Sequence, residues 1–226
     1  VNPARIAVWW ALDYGAAVRW QLGPLLRHHD AADYLGGRPG MRDVLVLPGI
    51  WETWRFLLPI VERLHDAGHP VHAVTALRGN GATVDAGADV VASYLRDHDL
   101  RDVLLVAHSK GGLIGKEVML RAESGPRVRG MLAISTPFSG SVYARHLPIR
   151  SLRAFSPDDP TTVRLAADRR VDARITSVWA AFDPHIPRGS GLAGAAGNVR
   201  VGDGGHFRIL RNPEVLRLVD RFAATC

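Results

Sequence analysis

The chain has 226 residues, 47% of them hydrophobic, and a formal net charge of +6. That length and composition can bury a sizeable core in one domain, and the absence of a run of ~18 uncharged apolar residues argues against a transmembrane span. The single cysteine, Cys226, excludes an intrachain disulfide without deciding the redox compartment.

In chain order, residues 6–26 come first, an apolar stretch with Trp9, Trp10, Leu12, Ala16, Ala17, Trp20 and Leu22 that is interrupted by Asp13 and Arg19. The pattern predicts an amphipathic helix packed on the body, or else resting on a partner or lipid surface. It lacks the short apolar core and cleavage site of a signal peptide. Residues 1–42 read as an N-terminal helical segment ending in a Gly-rich connector at 36–42, and 43–226 as the main domain. Six runs rich in Val, Ile and Leu follow, at 44–47, 71–74, 103–106, 131–134, 175–178 and 199–201, each bounded by Gly, Pro, Asp or Ser. Helical patterns at 54–67, 86–97, 113–121 and 213–223 alternate with them, and Pro213 suits a first helical position. The expected fold is therefore α/β, an about six-stranded, mostly parallel sheet covered by helices on both faces. Ligands of such sheets bind beyond the carboxyl ends of the strands.

One interval breaks the alternation, because 135–173 is much longer than an ordinary connection. It holds Phe138, Tyr143, Leu147, Ile149, Leu152 and Phe155. A cap or lid over about 136–173 is expected, the alternative being a surface excursion with a small core of its own. Charge is uneven too: 121–175 carries ten Arg against five acidic residues, whereas 43–120 sums to −3. A solvated face accounts for this, the alternative being attraction to an anionic membrane surface or substrate. No nucleic-acid recognition motif accompanies it, so no nucleic-acid partner is expected.

The chemistry is concentrated at L-L-V-A-H-S-K-G-G, residues 104–112. A β-prone run stops at Ala107, and Ser109 precedes Gly111, Gly112 and a helical pattern. That arrangement predicts a nucleophile elbow, in which small neighbours keep the strand and helix backbones apart and the serine oxygen stands above the sheet. Ala107 takes the place of the usual first glycine. A serine nucleophile needs a base and a carboxylate to orient it. His206, in G-D-G-G-H-F, follows the last strand, and Asp183, in A-F-D-P-H-I-P, ends the fifth. The order Ser109, Asp183, His206 then emerges. Asp158, Asp159 and Asp203 compete for the acid. Asp203 is disfavoured by its closeness to His206, and the other two by their place in the expected cap. His28, His29, Asp30 and Asp33 resemble a metal cluster only loosely and serve equally as the polar end of a helix, so no metal is assigned. Gly49, in L-V-L-P-G-I-W-E, lets the chain turn close to a substrate, so the backbone N–H groups of Ile50 and Lys110 are the expected oxyanion donors. Pro-Gly as a plain turn is the competing view. Trp51, His108, Phe138 and His185 are expected to line the substrate pocket.

Taken together, P-G-I-W, A-H-S-K-G-G, T-P-F-S-G-S, F-D-P-H-I-P and G-G-H-F resemble the motifs of the α/β-hydrolase superfamily, in its lipase and esterase branch. The resemblance covers most of 43–226 and nothing before it. It implies a reduced sheet and a serine carboxylester hydrolase working through Ser109, His206 and Asp183 and an acyl enzyme, without metal or organic cofactor. The aromatic residues and apolar cap point to small-molecule or lipid esters with apolar acyl chains. Acyl transfer with the same residues, or an inactive hydrolase-like module that binds a partner or a membrane surface, are the alternatives. The familiar His before Gly49 is missing, and Lys110 puts a cation where the helix dipole disfavours it. Oligomeric state and compartment stay open, with the cytoplasm favoured over export.

Overall fold

The computed structural model describes residues 3–22, 29–146 and 148–225, with side chains except those of 3–7, 21, 22, 150 and 203. His28, Leu147, Cys226 and the expected helical end at 23–26 lie outside the described residues, and the side chain of Asp203 does too.

All six apolar runs become strands of one sheet: β1 (Val44–Leu47), β2 (Val71–Ala73), β3 (Val103–His108), β4 (Val128–Ile134), β5 (Ile175–Phe182) and β6 (Gly197–Gly204). The spatial order is β2-β1-β3-β4-β5-β6, and every neighbouring pair is parallel. Helices α2 (Leu58–Asp66), α3 (Val84–Asp97), α4 (Lys110–Leu120) and α7 (Pro213–Thr225) cross between or follow the strands. Side chains alternate through the sheet with the period of two that an extended chain imposes. Leu45, Leu47, Leu105, Ala107, Met131 and Ala133 meet α3 and α4 on one face. Val44, Val46, Leu104, Val106, Leu132 and Ile134 meet α2 and α7 on the other. Because both faces are dry, the central strands read as continuous apolar runs. Each fully buried Leu or Ile contributes about 1.5–3 kcal/mol.

The connection from β1 runs outward to β2, the chain returns to β3 on the other side of β1, and later strands continue away from it. The carboxyl ends of β1 and β3 therefore flank the point where the winding direction reverses, the place where such sheets leave a crevice. The loop 48–52 and Ser109 stand at that point.

Part of the Arg excess is answered within the chain. Arg121 pairs with Asp89 and Glu117, Arg127 with Asp99, and Arg164 with Asp85 and Glu117. Basic residues of 121–175 thus meet acidic ones of 43–120, each exposed pair contributing about 0–1 kcal/mol. A buried pair, Lys116–Asp172 at 2.6 Å, fastens the end of the long interval to α4. Within that interval lie a short 3₁₀ turn (Ala144–His146), α5 (Arg150–Arg153) and α6 (Pro160–Ala167).

Before the sheet, α1 (Pro3–Leu22) rests on the main body, with Trp20 edge-on to Phe56 at 5.6 Å and Arg211 over the Trp20 ring at 4.6 Å. Among the described residues no helix is long and apolar enough to cross a membrane.

The double glycine of α4 marks the tightest packing. A Cβ on Gly111 would collide with the Leu47 carbonyl at the end of β1, and one on Gly112 with the Thr136 side chain after β4. Gly111→Ala is expected to destabilise the protein by about 1–3 kcal/mol, because backbone cannot yield as a side chain can. Gly81→Ala, facing open space, should stay within about 0.5 kcal/mol of wild type. Urea denaturation midpoints measure both.

Candidate active site

β3 ends at His108 and α4 begins at Lys110, which leaves Ser109 to make the whole turn. Its backbone sits at φ 50°, ψ −121°, a conformation unusual for a residue with a Cβ. The Ser109 N–H donates to the Ile134 carbonyl of β4 at 2.8 Å, which holds the strained residue in register. Ala107 lies inside β3, opposite Leu47 and Ala133, and its methyl group is wholly buried in the core. The turn forms without a glycine there, since the steric demand falls on Gly111 and Gly112.

Asp183 follows β5, and His206 follows β6. His206 Nδ1 lies 2.8 Å from Asp183 Oδ2, and His206 Nε2 lies 2.9 Å from Ser109 Oγ. A carboxylate only accepts, so Nδ1 carries the proton and Nε2 is left to accept from the serine hydroxyl. The backbone N–H groups of His185 and Ile186 donate to Asp183 Oδ1 at 2.8 and 3.0 Å, fixing the carboxylate from its other side. Burial pushes the Asp183 carboxyl up, but the charge and hydrogen bond of His206, with smaller help from His185, more than offset this and hold it at about 2. Burial likewise pushes His206 down, and the Asp183 charge and hydrogen bond, with smaller help from Glu52 and Asp13, lift it above its ordinary value.

The loop after β1 is braced in a way its sequence does not announce. Glu52 folds back so that its Oε2 accepts the Gly49 N–H at 2.6 Å, and Asn80 Nδ2 donates to the Pro48 carbonyl at 2.7 Å. A Cβ on Gly49 would lie 2.8 Å from the Glu52 carboxylate, so a larger residue there would push that carboxylate away. Lys110 belongs to the same brace. Its Nζ donates to the Asn80 carbonyl at 2.7 Å and to the Ala82 carbonyl, away from the helix axis. Burial lowers it to about 8.

Two expected pocket residues are not on the cavity wall. His108 is fully buried behind the histidine loop, with Nδ1 2.9 Å from Glu52 Oε2 and Nε2 3.0 Å from the His206 carbonyl oxygen. Adjacent side chains at the turn point apart, which sends His108 under the sheet edge rather than over it. Phe138 turns into the core below the Lys116 ammonium, 5.9 Å from its ring. Trp51 and His185 do line the cavity, as does Ile50. The rivals have other work: Asp158 pairs with Arg145, and Asp159 caps α6 through the N–H groups of Thr161 and Thr162. Asp30 and Asp33 form a capping box on the turn Ala31–Tyr34, and His29 Nδ1 lies 2.9 Å from the Tyr34 hydroxyl.

Ser109 and His206 open onto a cavity of about 610 Å³ with a mostly apolar wall. Residues Tyr143, Leu152 and Phe155 of the long interval form one side. The opposite side is unexpected, because Trp10 and Tyr14 of α1 reach it, Trp10 stacked on His185 at 6.1 Å between ring centres and Tyr14 tilted against it at 5.6 Å. His185 in turn lies 4.6 Å from His206. Burial, with the His206 charge beside it, pushes His185 down to about 3, which keeps it neutral. The Trp10 and Tyr14 spacing of four was the available signal, since it puts two aromatic rings on one helix face.

The parallel sheet, the serine turn at the reversal point and the helices on both faces define the α/β-hydrolase fold, with an open six-stranded sheet. No protein-family model matches the sequence, and no curated protein does. Among solved structures, the chain is similar to the mature lipase BlEst2 of Bacillus licheniformis (TM-score 0.64, 13% identity, 83% of this chain and 94% of that one). It is also similar to a monoacylglycerol lipase of Paleococcus ferrophilus (TM-score 0.58, 16% identity, 80% and 94%). The type II thioesterase BorB of the borrelidin biosynthetic cluster is a third (TM-score 0.60, 20% identity, 85% and 95%).

The electrostatics around His206 can be measured directly. Its imidazole is expected to titrate above 6.5 by NMR, and Asp183→Asn should move it downward, since burial then acts without the opposing charge.

Proposed function

We propose that the chain is a serine carboxylester hydrolase acting on esters with apolar acyl groups. The observation that carries this reading is the unbroken hydrogen-bonded chain from Ser109 Oγ through His206 to Asp183 at the floor of an apolar cavity. In the first step Ser109 Oγ attacks the ester carbonyl carbon while His206 Nε2 takes the hydroxyl proton. The tetrahedral oxyanion is held by the backbone N–H groups of Ile50 and Lys110, each donor lowering the barrier by about 3–4 kcal/mol. Its collapse expels the alcohol, which takes the proton from His206, and leaves an acyl group on Ser109. Water repeats the sequence, giving up a proton to His206 and releasing the acid. Asp183 keeps its charge throughout and orients the imidazole.

The cavity supports an apolar acyl group, and 136–173 acts as a cap that supplies one wall through Tyr143, Leu152 and Phe155. The lipases among the structural neighbours support ester chemistry in general. A thioesterase shares the fold, so thioesters of the same acyl groups are the second reading, with the same residues and a thiol leaving group.

A fluorophosphonate probe should label the wild type and fail on Ser109→Ala and His206→Ala. Asp183→Asn should lower kcat by about 10⁴. A folded wild type that resists labelling would refute the enzyme reading in favour of a binding module. Chromogenic esters of increasing acyl length, run beside matching thioesters, separate the two leaving groups. Because the base must be neutral, kcat/KM should rise with pH through the raised His206 value, placing the acid limb above 6.5.

A further inference from the structure

Of the buried carboxylates without a part in the proposed reaction, one lies directly against the backbone of the histidine. Asp13 is the only acidic residue of α1, is fully buried, and lies far from His206 in sequence. Its Oδ2 accepts the His206 N–H at 2.8 Å, and its Oδ1 accepts the N–H groups of Phe207 and Arg208, both at 2.9 Å. These are the donors at the start of the 3₁₀ turn Arg208–Arg211, which no residue of their own segment caps through a side chain. A helix from the other end of the chain therefore does what a local N-cap does elsewhere, and it does so at the backbone of the histidine itself.

The histidine loop is shaped to receive it. Gly205 has φ +123°, and a Cβ there would lie 2.5 Å from Asp13 Oδ1. A Cβ on Gly204 would lie 2.8 Å from the Trp9 ring, which also stacks on Phe182 at 5.2 Å. The glycine pair ahead of His206 is thus a seat for α1, with Trp9 over the first and Asp13 against the second. Adhesion alone would be served by the apolar side chains of α1. A carboxylate taken out of water is costly unless it is fully hydrogen-bonded, and here all its described bonds go to the three residues that set where the imidazole stands.

We propose that Asp13 is a positioning residue for His206, through which the docking of α1 fixes the histidine loop so that Nε2 meets Ser109 Oγ. The inference rests on the hydrolase reading of the site. It also makes α1 part of the working domain rather than a separate N-terminal segment. His206 is faced by Asp183, Glu52 and Asp13 among the acids and by His185 and His108 among the bases. Removing one of the three negative charges lowers the imidazole's affinity for a proton.

Asp13→Asn in the full chain keeps the size of the side chain and turns an amide toward the donors. Active-site titration with the fluorophosphonate sets the concentration of competent sites, and kcat, KM and the acid limb of kcat/KM are then measured per site. The expected result is a fall in kcat of ten-fold or more with KM within two-fold. The acid limb and the His206 NMR titration should both move to lower pH. Asp13→Ser removes the charge without adding bulk and is read in the same way, so a folding defect in one variant leaves the test standing. Unchanged kcat per site and an unchanged His206 titration, whatever happens to thermal stability, would overturn the proposal and leave Asp13 a structural anchor. The NMR titration needs no substrate, so a wild type that cannot be labelled refutes the hydrolase reading and removes the catalytic consequence separately.

Discussion

The geometry of the site depends on a single strained residue. Ser109 takes up a backbone conformation that costs about 1–3 kcal/mol in a residue with a Cβ, and it persists because its surroundings leave no alternative. On one side β3 is held between β1 and β4 by pairing that runs unbroken from Leu104 to Ala107 on both sides. On the other, Gly111 and Gly112 press α4 against the ends of β1 and β4 so closely that a methyl group would not fit. The chain must reverse within one residue between these two fixed bodies. The same closeness aims the serine oxygen at the crevice and leaves the first N–H groups of α4 without intrahelical acceptors. Strain, exposure and donor supply are consequences of one packing constraint.

Around that turn, three carboxylates are arranged about one imidazole, each from a different part of the chain. Asp183 meets the ring, Asp13 holds the backbone of the same residue, and Glu52 reaches it through His108. Glu52 also accepts the Gly49 N–H, so the histidine loop and the loop carrying Ile50 share one rigid connection through Glu52 and His108. On the proposed mechanism these two loops must act at the same instant, one taking a proton and the other receiving the oxyanion. A rigid link between them keeps their spacing constant, and preorganised donors of this kind lower a barrier because they need not move when charge develops.

The strand centres, the serine turn and the Asp and His at neighbouring strand ends were legible in the sequence because each has a local signature. Apolar runs mark both-face burial, and glycines mark close approach. Strand ends were less legible: in β4 the pair Arg129–Gly130 separates Val128 from the apolar run, and β6 runs out through glycines, where backbone pairing continues without an apolar side chain to advertise it. The braces were hidden for a different reason. Asp13 looks like an interruption of an apolar helix, and Glu52 and Asn80 look like ordinary loop residues. Their roles are contacts between segments far apart in the chain, which no local pattern encodes. Phe138 and His108 erred in the opposite direction, since proximity in sequence to the turn does not determine on which side of the sheet edge a side chain falls.

Two of the departures from the resembled motifs offset one another. With no His before Gly49, the loop must be held by other groups, and Asn80 holds Pro48 from outside. Asn80 sits in a positive-φ turn of its own, at 49°, and a turn of that kind needs support. Lys110 provides it by donating to the carbonyls of Asn80 and Ala82. A cation at a helix N-terminus is unfavourable only while its charge stays near the dipole. Here the side chain carries the ammonium across to the carbonyls of the neighbouring loop, where it is solvated by backbone oxygens. The lysine that weakens the motif at the helix is thus the group that steadies the loop on the other side of the serine. Taken singly, both positions count against the proposed oxyanion loop, but as a connected set they brace residues 48–52.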